Sequence, residues 1–217
     1  ANAAEIFRQL EFRSVLSRLQ ALTGRSEIAP NSNQPSLFVR EPVKLEISTN
    51  YDLPVEIVDT DEKLAFLVKD INKANKLSFD TETTSTDPMR ADLVGISLAF
   101  EQGKAFYIPI GHETSEQQLP LAAVTQALKP IFRNPDVKKI GHHAKYDMLV
   151  LRRHGMDVSG LDFDTMVAAW MLDPASHRLG LKDLAEIELG VQMTQIEALI
   201  GSGSKQRLMS EVAVKDV

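Results

Sequence analysis

The chain has 217 residues, enough for one large domain with appendages, and a hydrophobic content of 43% is sufficient to bury an ordinary core. Its net charge of −6 argues against stand-alone binding to duplex DNA, because proteins that depend on phosphate contacts are usually basic. The absence of cysteine excludes disulfide bonds and thiolate metal sites. There is no apolar run of membrane-helix length and no basic-then-apolar leader at the start of the chain. We therefore expect a cytoplasmic protein without a membrane partner.

Two segments precede the main domain. Residues 1–24 are predicted to contain an amphipathic helix, because apolar residues recur at helical spacing and Gly24 suits the C-terminal end. Residues 25–50 contain three prolines among Asn, Ser and Gln, a composition typical of a flexible linker. The main domain is expected to span residues 51–217.

The first half of the main domain alternates strands with a helix. A strand is predicted at 55–58, and Asp61 is expected to cap a helix that extends to about residue 74. The next strand covers 77–83. Regular alternation of apolar residues then predicts a β-hairpin with strands 92–100 and 104–110. This order predicts an α/β fold with a mixed sheet.

The second half is predicted to be mostly helical. Helices are expected at 121–131, 142–151, 164–170 and about 181–189, with one short strand at 137–140. Pro130 should end or kink the first of these helices, and Asp164 should cap the third. Trp170 is predicted to lie in the core. Residues 210–217 look like the first turns of another helix, and we expect this end to fray.

Two acidic residues lie at the end of the 77–83 strand. Because side chains alternate along a strand, Asp80 and Glu82 share the face opposite Leu77 and Phe79. Neighbouring carboxylates raise each other's pKa, and a divalent cation with oxygen ligands would offset their repulsion. An acidic strand end that opens into a loop is the simpler alternative for the pair alone.

A third acidic residue, Asp147, lies in an otherwise apolar helical turn. Burial of an unpaired charge is costly, although an Asp on the exposed side of the helix is an alternative. Considered together with the strand pair, Asp147 is expected to converge with Asp80 and Glu82 within reach of a bridging cation.

The order of these elements resembles one family. Asp80-x-Glu82 on a strand, then a hairpin, a helix, a strand and Tyr146-Asp147 on the next helix resembles the 3′–5′ proofreading exonuclease domain of bacterial DNA polymerase I. The similarity covers roughly residues 52–217 and includes Phe163-Asp164-Thr165-Met166. It implies a ribonuclease-H-like α/β fold with a mixed sheet flanked by helices. It also implies that residues 1–24 come from the end of a preceding nuclease region.

The resemblance further implies the chemistry of the site. The family hydrolyses the 3′-terminal phosphodiester of DNA with two divalent ions, Mg²⁺ or Mn²⁺. Asp80 would bridge the ions, Glu82 would bind the ion that activates water, and Asp147 would support the second ion. Residues implied to line the cleft for a single-stranded or frayed DNA 3′ end are Thr83, Thr86, His143, Arg178 and Ile196. The polymerase domain of the same parent chain is the implied partner.

The sequence departs from the family pattern in two respects. No Tyr-x-x-x-Asp motif occurs, and by resemblance this third motif would begin just past Val217. We therefore expect the domain to be incomplete at its C-terminal end and the chain to be weakly active or inactive. The family also usually has Asn where this chain has His143, and an apolar residue at Thr86.

Two other functions stay open at this stage. The first is a catalytically degenerate spacer domain of a polymerase, and the presence of all three acids favours the enzyme instead. The second is a free-standing relative that acts on RNA 3′ ends. The predicted N-terminal helix and linker indicate a larger parent protein and count against it.

Overall fold

The computed structural model describes residues 54–203 and 206–217, and these form a six-stranded mixed sheet with flanking helices. The strands are β1 (Val55–Ile57), β2 (Lys76–Thr83), β3 (Leu93–Glu101), β4 (Lys104–Pro109), β5 (Lys138–Gly141) and β6 (Leu161–Asp164). The helices are α1 (Asp61–Ile71), α2 (Leu121–Arg133), α3 (Ala144–Arg153), α4 (Thr165–Leu172), α5 (Leu181–Leu184), which continues into a π-helical turn (Ala185–Leu189), and α6 (Ile196–Ile200). Two 3₁₀ turns, Met209–Glu211 and Val214–Asp216, follow.

The strand order across the sheet is β1-β4-β3-β2-β5-β6. Strand β3 pairs antiparallel with β4 on one side and with β2 on the other. The pairs β1–β4, β2–β5 and β5–β6 are parallel. The predicted α/β fold with a mixed sheet is therefore confirmed. Strand β6 was not predicted, because its four residues are too few to show a clear alternation.

The hydrophobic core lies between the sheet and helices α1, α2 and α3. Leu77 and Phe79 of β2 are buried there, and the ring of Phe79 packs edge-on against Phe132 of α2 at a centroid distance of 5.6 Å. Val150 and Leu151 of α3 belong to the same cluster. This packing holds α3 beside the end of β2, where the acidic residues lie.

Two helix ends differ from the sequence predictions. Thr60, and not Asp61, caps α1, since its side-chain oxygen accepts the Lys63 N–H at 3.3 Å. Helix α1 then ends at Ile71, three residues early. Helix α2 extends past Pro130 to Arg133, because a proline in the last turn removes only one backbone hydrogen bond.

Helix α3 begins at Ala144 and not at residue 142, because His143 has a left-handed backbone conformation with φ 55° and ψ 38°. Histidine is one of the few residues with a side chain that tolerates this region. Asp164 accepts the backbone N–H groups of His143 at 3.2 Å and of Ala144 at 2.9 Å. The same carboxylate accepts N–H groups in the first turn of α4, which confirms its predicted role as that helix's cap. One aspartate therefore stabilises the starts of two helices.

The prediction for Trp170 is wrong. Its side chain is 53% exposed, and α4 contains no buried residue. Helix α4 is apolar around its whole circumference, so that the sequence alone does not indicate which side packs against the protein.

The expectation that residues 210–217 fray is also wrong. Val212 and Val214 are buried, and Val212 packs with Met209 against Val94 of β3. Ser210 Oγ donates to Glu113 Oε1 at 2.9 Å, and Val214 N–H donates to Glu116 Oε2 at 3.1 Å. We refer to residues 206–217 as the C-terminal segment; contacts from the loop after β4 hold it in place.

A buried histidine completes this attachment. His112 Nδ1 lies 2.8 Å from the Val212 carbonyl oxygen, which can only accept, so Nδ1 carries the proton. In the neutral ring Nε2 then accepts the Tyr107 hydroxyl at 2.7 Å. Tyr107 of β4 and the C-terminal segment are thus linked through one imidazole ring.

Replacement of Tyr107 by Phe is expected to lower the free energy of unfolding by about 1–2 kcal/mol, because the buried Nε2 of His112 loses its donor. Amide hydrogen exchange in the C-terminal segment should accelerate. Ile108→Val, a core change on the other face of β4 with a similar expected cost, is the control. Equal exchange rates in the two variants would contradict the role given to His112.

The predicted helix in residues 1–24 and linker in 25–50 lie outside the described residues. Within the described part of the chain, no helix has both the length and the apolar character needed to cross a membrane.

Candidate active site

Strand β2 separates its side chains onto two faces, as the alternation predicted. Leu77, Phe79 and Thr81 are buried on the side of the helices, while Asp80 and Glu82 lie on the other face. Asp80 is paired in register with Ser97 of β3, and Glu82 with Gly95. The two carboxylates therefore lie next to each other at the end of the strand.

Gly95 makes room for an aromatic ring beside Glu82. A Cβ atom at this position would lie 2.1 Å from the Tyr107 hydroxyl oxygen, so any side chain would displace the ring. Burial raises the pKa of Tyr107 far above its ordinary value, and the charge of Glu82 raises it further. Tyr107 consequently stays protonated and can donate its hydrogen to His112.

Asp147 is held against the residue between the two strand acids. Its Oδ1 accepts the Thr81 backbone N–H at 3.0 Å and the Thr81 hydroxyl at 2.6 Å, and the side chain is 3% exposed. Thr81 thus attaches the start of α3 to β2. This role of Thr81 was not predicted from the sequence, although the alternation that placed Asp80 and Glu82 puts Thr81 on the face where α3 packs.

All three carboxylates have raised pKa values, and their negative charges contribute to the shifts. Burial raises the pKa of Glu82 to about 7, with further contributions from the charges of Asp80 and Asp147 and an opposing one from Lys182. Burial likewise raises the pKa of Asp147 to about 7, and the charge of Asp80 adds to this effect. Asp80 is exposed at its position on the strand, yet partial desolvation of its carboxylate by the surrounding protein raises its pKa as well. A cation beside these groups would favour their charged forms.

The donor chemistry fits a hard divalent cation, since carboxylate oxygens are its preferred ligands. In the ranges 54–203 and 206–217, however, no three His, Asp or Glu side chains are arranged closely enough to hold a metal ion. Asp147 contacts β2 through its two hydrogen bonds to Thr81, the residue between the two strand acids. The described residues therefore do not show the predicted convergence of all three within bridging reach, and the role of the three acids as cation ligands stays a prediction.

A cleft of about 630 Å³ begins at Glu82. It is lined by the end of β2 and the loop after it, by the start of α3, by α6 and by the C-terminal segment. Four of the five residues predicted to contact DNA line it: Thr83, Thr86, His143 and Ile196, whereas Arg178 does not. Arg178 instead forms ion pairs with Asp183 at 2.8 Å and Glu186 at 3.0 Å.

Tyr146, which the sequence analysis did not select, also lines the cleft. Its hydroxyl group lies 2.6 Å from Thr83 Oγ1 and donates to the Ser85 carbonyl oxygen. Its ring stacks on His143 at a centroid distance of 6.5 Å. The tyrosine therefore fixes the loop after β2 relative to α3 and shapes the cleft floor.

Replacement of Thr81 by Val removes the hydroxyl bond to Asp147 but keeps the shape of the side chain. We expect the free energy of unfolding at pH 8 to fall by about 1–2 kcal/mol, because the charged carboxylate loses one of its two donors. The loss should be smaller at pH 5, where Asp147 is protonated. Chemical denaturation at both pH values, with Thr84→Val as control, measures this difference, and an equal loss at both would contradict it.

Comparison with known proteins assigns the family. A family model described as 3′–5′ exonuclease matches residues 55–215. The chain is 45% identical over 202 residues to a DNA polymerase I of Chloroflexus aurantiacus, covering 92% of the chain and 21% of that protein. It is 33% identical over 214 residues to a DNA polymerase I of Pseudomonas aeruginosa, covering 97% of the chain and 22% of that protein. The chain thus spans about a fifth of the length of these relatives.

Solved structures support the fold. RNase D of Escherichia coli, an exoribonuclease, has a TM-score of 0.53 at 20% identity and covers 67% of this chain and 36% of its own. The POL domain of Pol1 from M. smegmatis, bound to DNA primer-template and dNTP, has a TM-score of 0.54 at 21% identity. The match covers 65% of this chain and 23% of that one. At these identities the likeness concerns the fold only. The match to the family model and the sequence identity to the polymerases together show that this chain belongs to the 3′–5′ exonuclease family.

Proposed function

We propose that the chain is a divalent-cation-dependent exonuclease domain that removes nucleotides from a DNA 3′ end. The observation that supports this most is the attachment of Asp147 through Thr81, between Asp80 and Glu82, beside a cleft that begins at Glu82. Three carboxylates that repel one another beside an open cleft destabilise the folded protein. A bound divalent cation would offset this repulsion.

Asp80, Glu82 and Asp147 would hold one or two ions of Mg²⁺ or Mn²⁺, with Asp80 as the shared ligand. Such ions lower the pKa of a water nucleophile and stabilise the leaving 3′ oxygen. Thr81 keeps Asp147 oriented by two hydrogen bonds. The hydrogen bond between Tyr146 and Thr83 joins the cleft floor to the end of β2, so that the scissile linkage would contact a rigid surface.

The cleft suits the end of a single strand. Its volume of about 630 Å³ is in the range of small-ligand sites, which accommodates terminal nucleotides but not a duplex end. Ile196 offers an apolar surface, and His143 and Thr86 offer polar groups for the terminal nucleotides. Arg178 would have to leave Asp183 and Glu186 to contact DNA.

The polymerase relatives are about five times longer, so a polymerase domain in the same parent protein, with which this domain would share DNA, is a further part of the proposal. So is a cytoplasmic location. The degenerate-spacer alternative is not favoured, because the three acids and the threonine that orients Asp147 are all present.

The test uses one single-stranded DNA oligonucleotide labelled at its 5′ end or its 3′ end. With Mn²⁺, the 3′ label should be released as a mononucleotide while the 5′-labelled strand shortens stepwise. EDTA should stop the reaction, and an RNA strand of the same sequence should be cut more slowly. The full-length parent protein is the positive control. Cleavage from the 5′ end, or full activity in EDTA, would refute the proposal.

A further inference from the structure

Arg207 lies in the C-terminal segment and lines the cleft opposite the loop after β2. It is the only Lys or Arg among the described residues that line this cleft. The cleft also contains Glu82, with Asp80 and Asp147 close enough to raise its pKa. The proposed cations would offset repulsion of the phosphate nearest these acids, and a cationic side chain elsewhere in the cleft would attract a further phosphate of the strand.

The guanidinium group of Arg207 is held in place but is not neutralised. Its Nε and Nη2 donate to the Leu199 carbonyl oxygen of α6 at 2.9 and 2.7 Å. A carbonyl carries no net charge, and no carboxylate in the described ranges forms an ion pair with Arg207. Because a guanidinium has five N–H donors, three remain available on the exposed side.

Arg178 provides the contrast. This arginine was predicted to bind substrate, yet its Nε and Nη2 already donate to two negatively charged carboxylates, those of Asp183 and Glu186. Its positive charge is therefore largely compensated on the protein. Arg207 has the opposite arrangement, with a fixed orientation and an uncompensated charge.

The backbone that carries Arg207 is also well anchored. Arg207 N–H donates to the Ile200 carbonyl oxygen at 2.9 Å, and Met209, two residues on, is buried against Val94. The bonds from His112, Glu113 and Glu116 described above hold the rest of the segment. A charged group that is already positioned loses little conformational entropy when it binds a ligand.

We propose that Arg207 binds a backbone phosphate of the single DNA strand in the cleft. The planar guanidinium would use its remaining donors in a charge-assisted contact with one phosphate. This inference rests on the proposed function, because it assumes that the cleft takes DNA. It adds a binding residue outside the set predicted from the sequence.

The first test measures binding of a fluorescent single-stranded decanucleotide by anisotropy in Mg²⁺, with Asp80→Asn in every protein so that the strand is not consumed. Arg207→Gln should weaken binding about tenfold. It should also flatten the dependence of log Kd on log salt by about 0.7, the loss of one phosphate contact on a single strand. Arg207→Lys should keep the salt dependence but weaken binding, because the fork of donors is lost. Arg133→Gln, an exposed arginine of α2 that does not line the cleft, should change neither.

The second test locates the phosphate. Oligonucleotides that carry one neutral methylphosphonate linkage, moved stepwise from the 3′ end, are compared on the parent and on Arg207→Gln. One position should weaken binding to the parent but have no further effect on the variant. If every position weakens both proteins equally, Arg207 acts on the shape of the cleft and not on a phosphate, and the inference is wrong.

The outcomes separate this inference from the proposed function. If the parent binds the strand and Arg207→Gln binds equally well, the inference alone fails. If the Asp80→Asn parent does not bind DNA at any salt concentration, the inference fails, and the nuclease assay with Asp80 intact decides the proposed function.

Discussion

Replacement of Asp80 by Asn should reduce release of the 3′-terminal nucleotide by about 10³-fold or more. Asp80 lies beside Glu82 on the outer face of β2, and the proposed role makes it the ligand shared by the cations, so that loss of its charge removes both. Single catalytic groups typically contribute factors of about 10²–10⁴. The measurement is a single-turnover rate with a 3′-labelled strand in Mn²⁺, made on the full-length parent protein.

Stability distinguishes a catalytic loss from misfolding. The carboxylate of Asp80 has a raised pKa, so its charged form is unfavourable in the folded protein. Asp80→Asn should therefore leave the melting temperature at pH 8 unchanged or slightly higher, as is common for residues whose charge serves function. Asp136→Asn, at an exposed position, is the matched control and should keep full activity. Substantial hydrolysis by Asp80→Asn would contradict the assignment.

Without metal, the stability of the protein should decline as the pH rises from about 4 to 7. The pKa of Glu82 and that of Asp147 are about 7 in the folded protein, above the ordinary values of 4.5 and 3.8. In this window the folded state binds more protons than the unfolded chain, so the free energy of unfolding falls with rising pH. Because one pKa unit corresponds to about 1.4 kcal/mol, the two groups together should account for a loss on the order of 6 kcal/mol.

Mg²⁺ should reverse part of this loss at pH 8 and have little effect at pH 5, because the cation binds the charged carboxylates and competes with protons. At a concentration 100 times its dissociation constant, a bound ion adds about 2.7 kcal/mol to the free energy of unfolding. Thermal unfolding at pH 5 and pH 8, with Mg²⁺ or with EDTA, measures the effect. In Asp147→Asn both the pH dependence and the Mg²⁺ effect should shrink. An equal gain from Mg²⁺ at the two pH values would indicate binding elsewhere.

The mixed sheet and the strand acids were predictable because they depend on local patterns. Alternation in β3 and β4 identifies the hairpin, and the same rule places Asp80 and Glu82 on one face of β2. The cap at Asp164 follows from residue type. Its second role at the start of α3 does not, because it depends on the approach of two segments about twenty residues apart.

Features that depend on tertiary packing could not be predicted. The sequence shows Trp170 as apolar but does not show that α4 leaves it exposed. Residues 210–217 have little intrinsic order, and their burial depends on the loop that carries His112. For the same reason the position of Arg207 in the cleft could not be predicted from the sequence. Arg178 was selected by resemblance, although in the structure it forms ion pairs with two acidic residues.

The most direct measurement of the central claim is titration of Mn²⁺ into isotopically labelled protein, with paramagnetic broadening of backbone amide signals as the readout. This experiment does not depend on catalytic activity. Signals of residues around Asp80, Glu82 and Asp147 should disappear first, at pH 8 more readily than at pH 5, and Asp80→Asn should suppress the effect. Broadening that is centred on another acidic surface, or that is unchanged in Asp80→Asn, would show that these three carboxylates do not form the cation site.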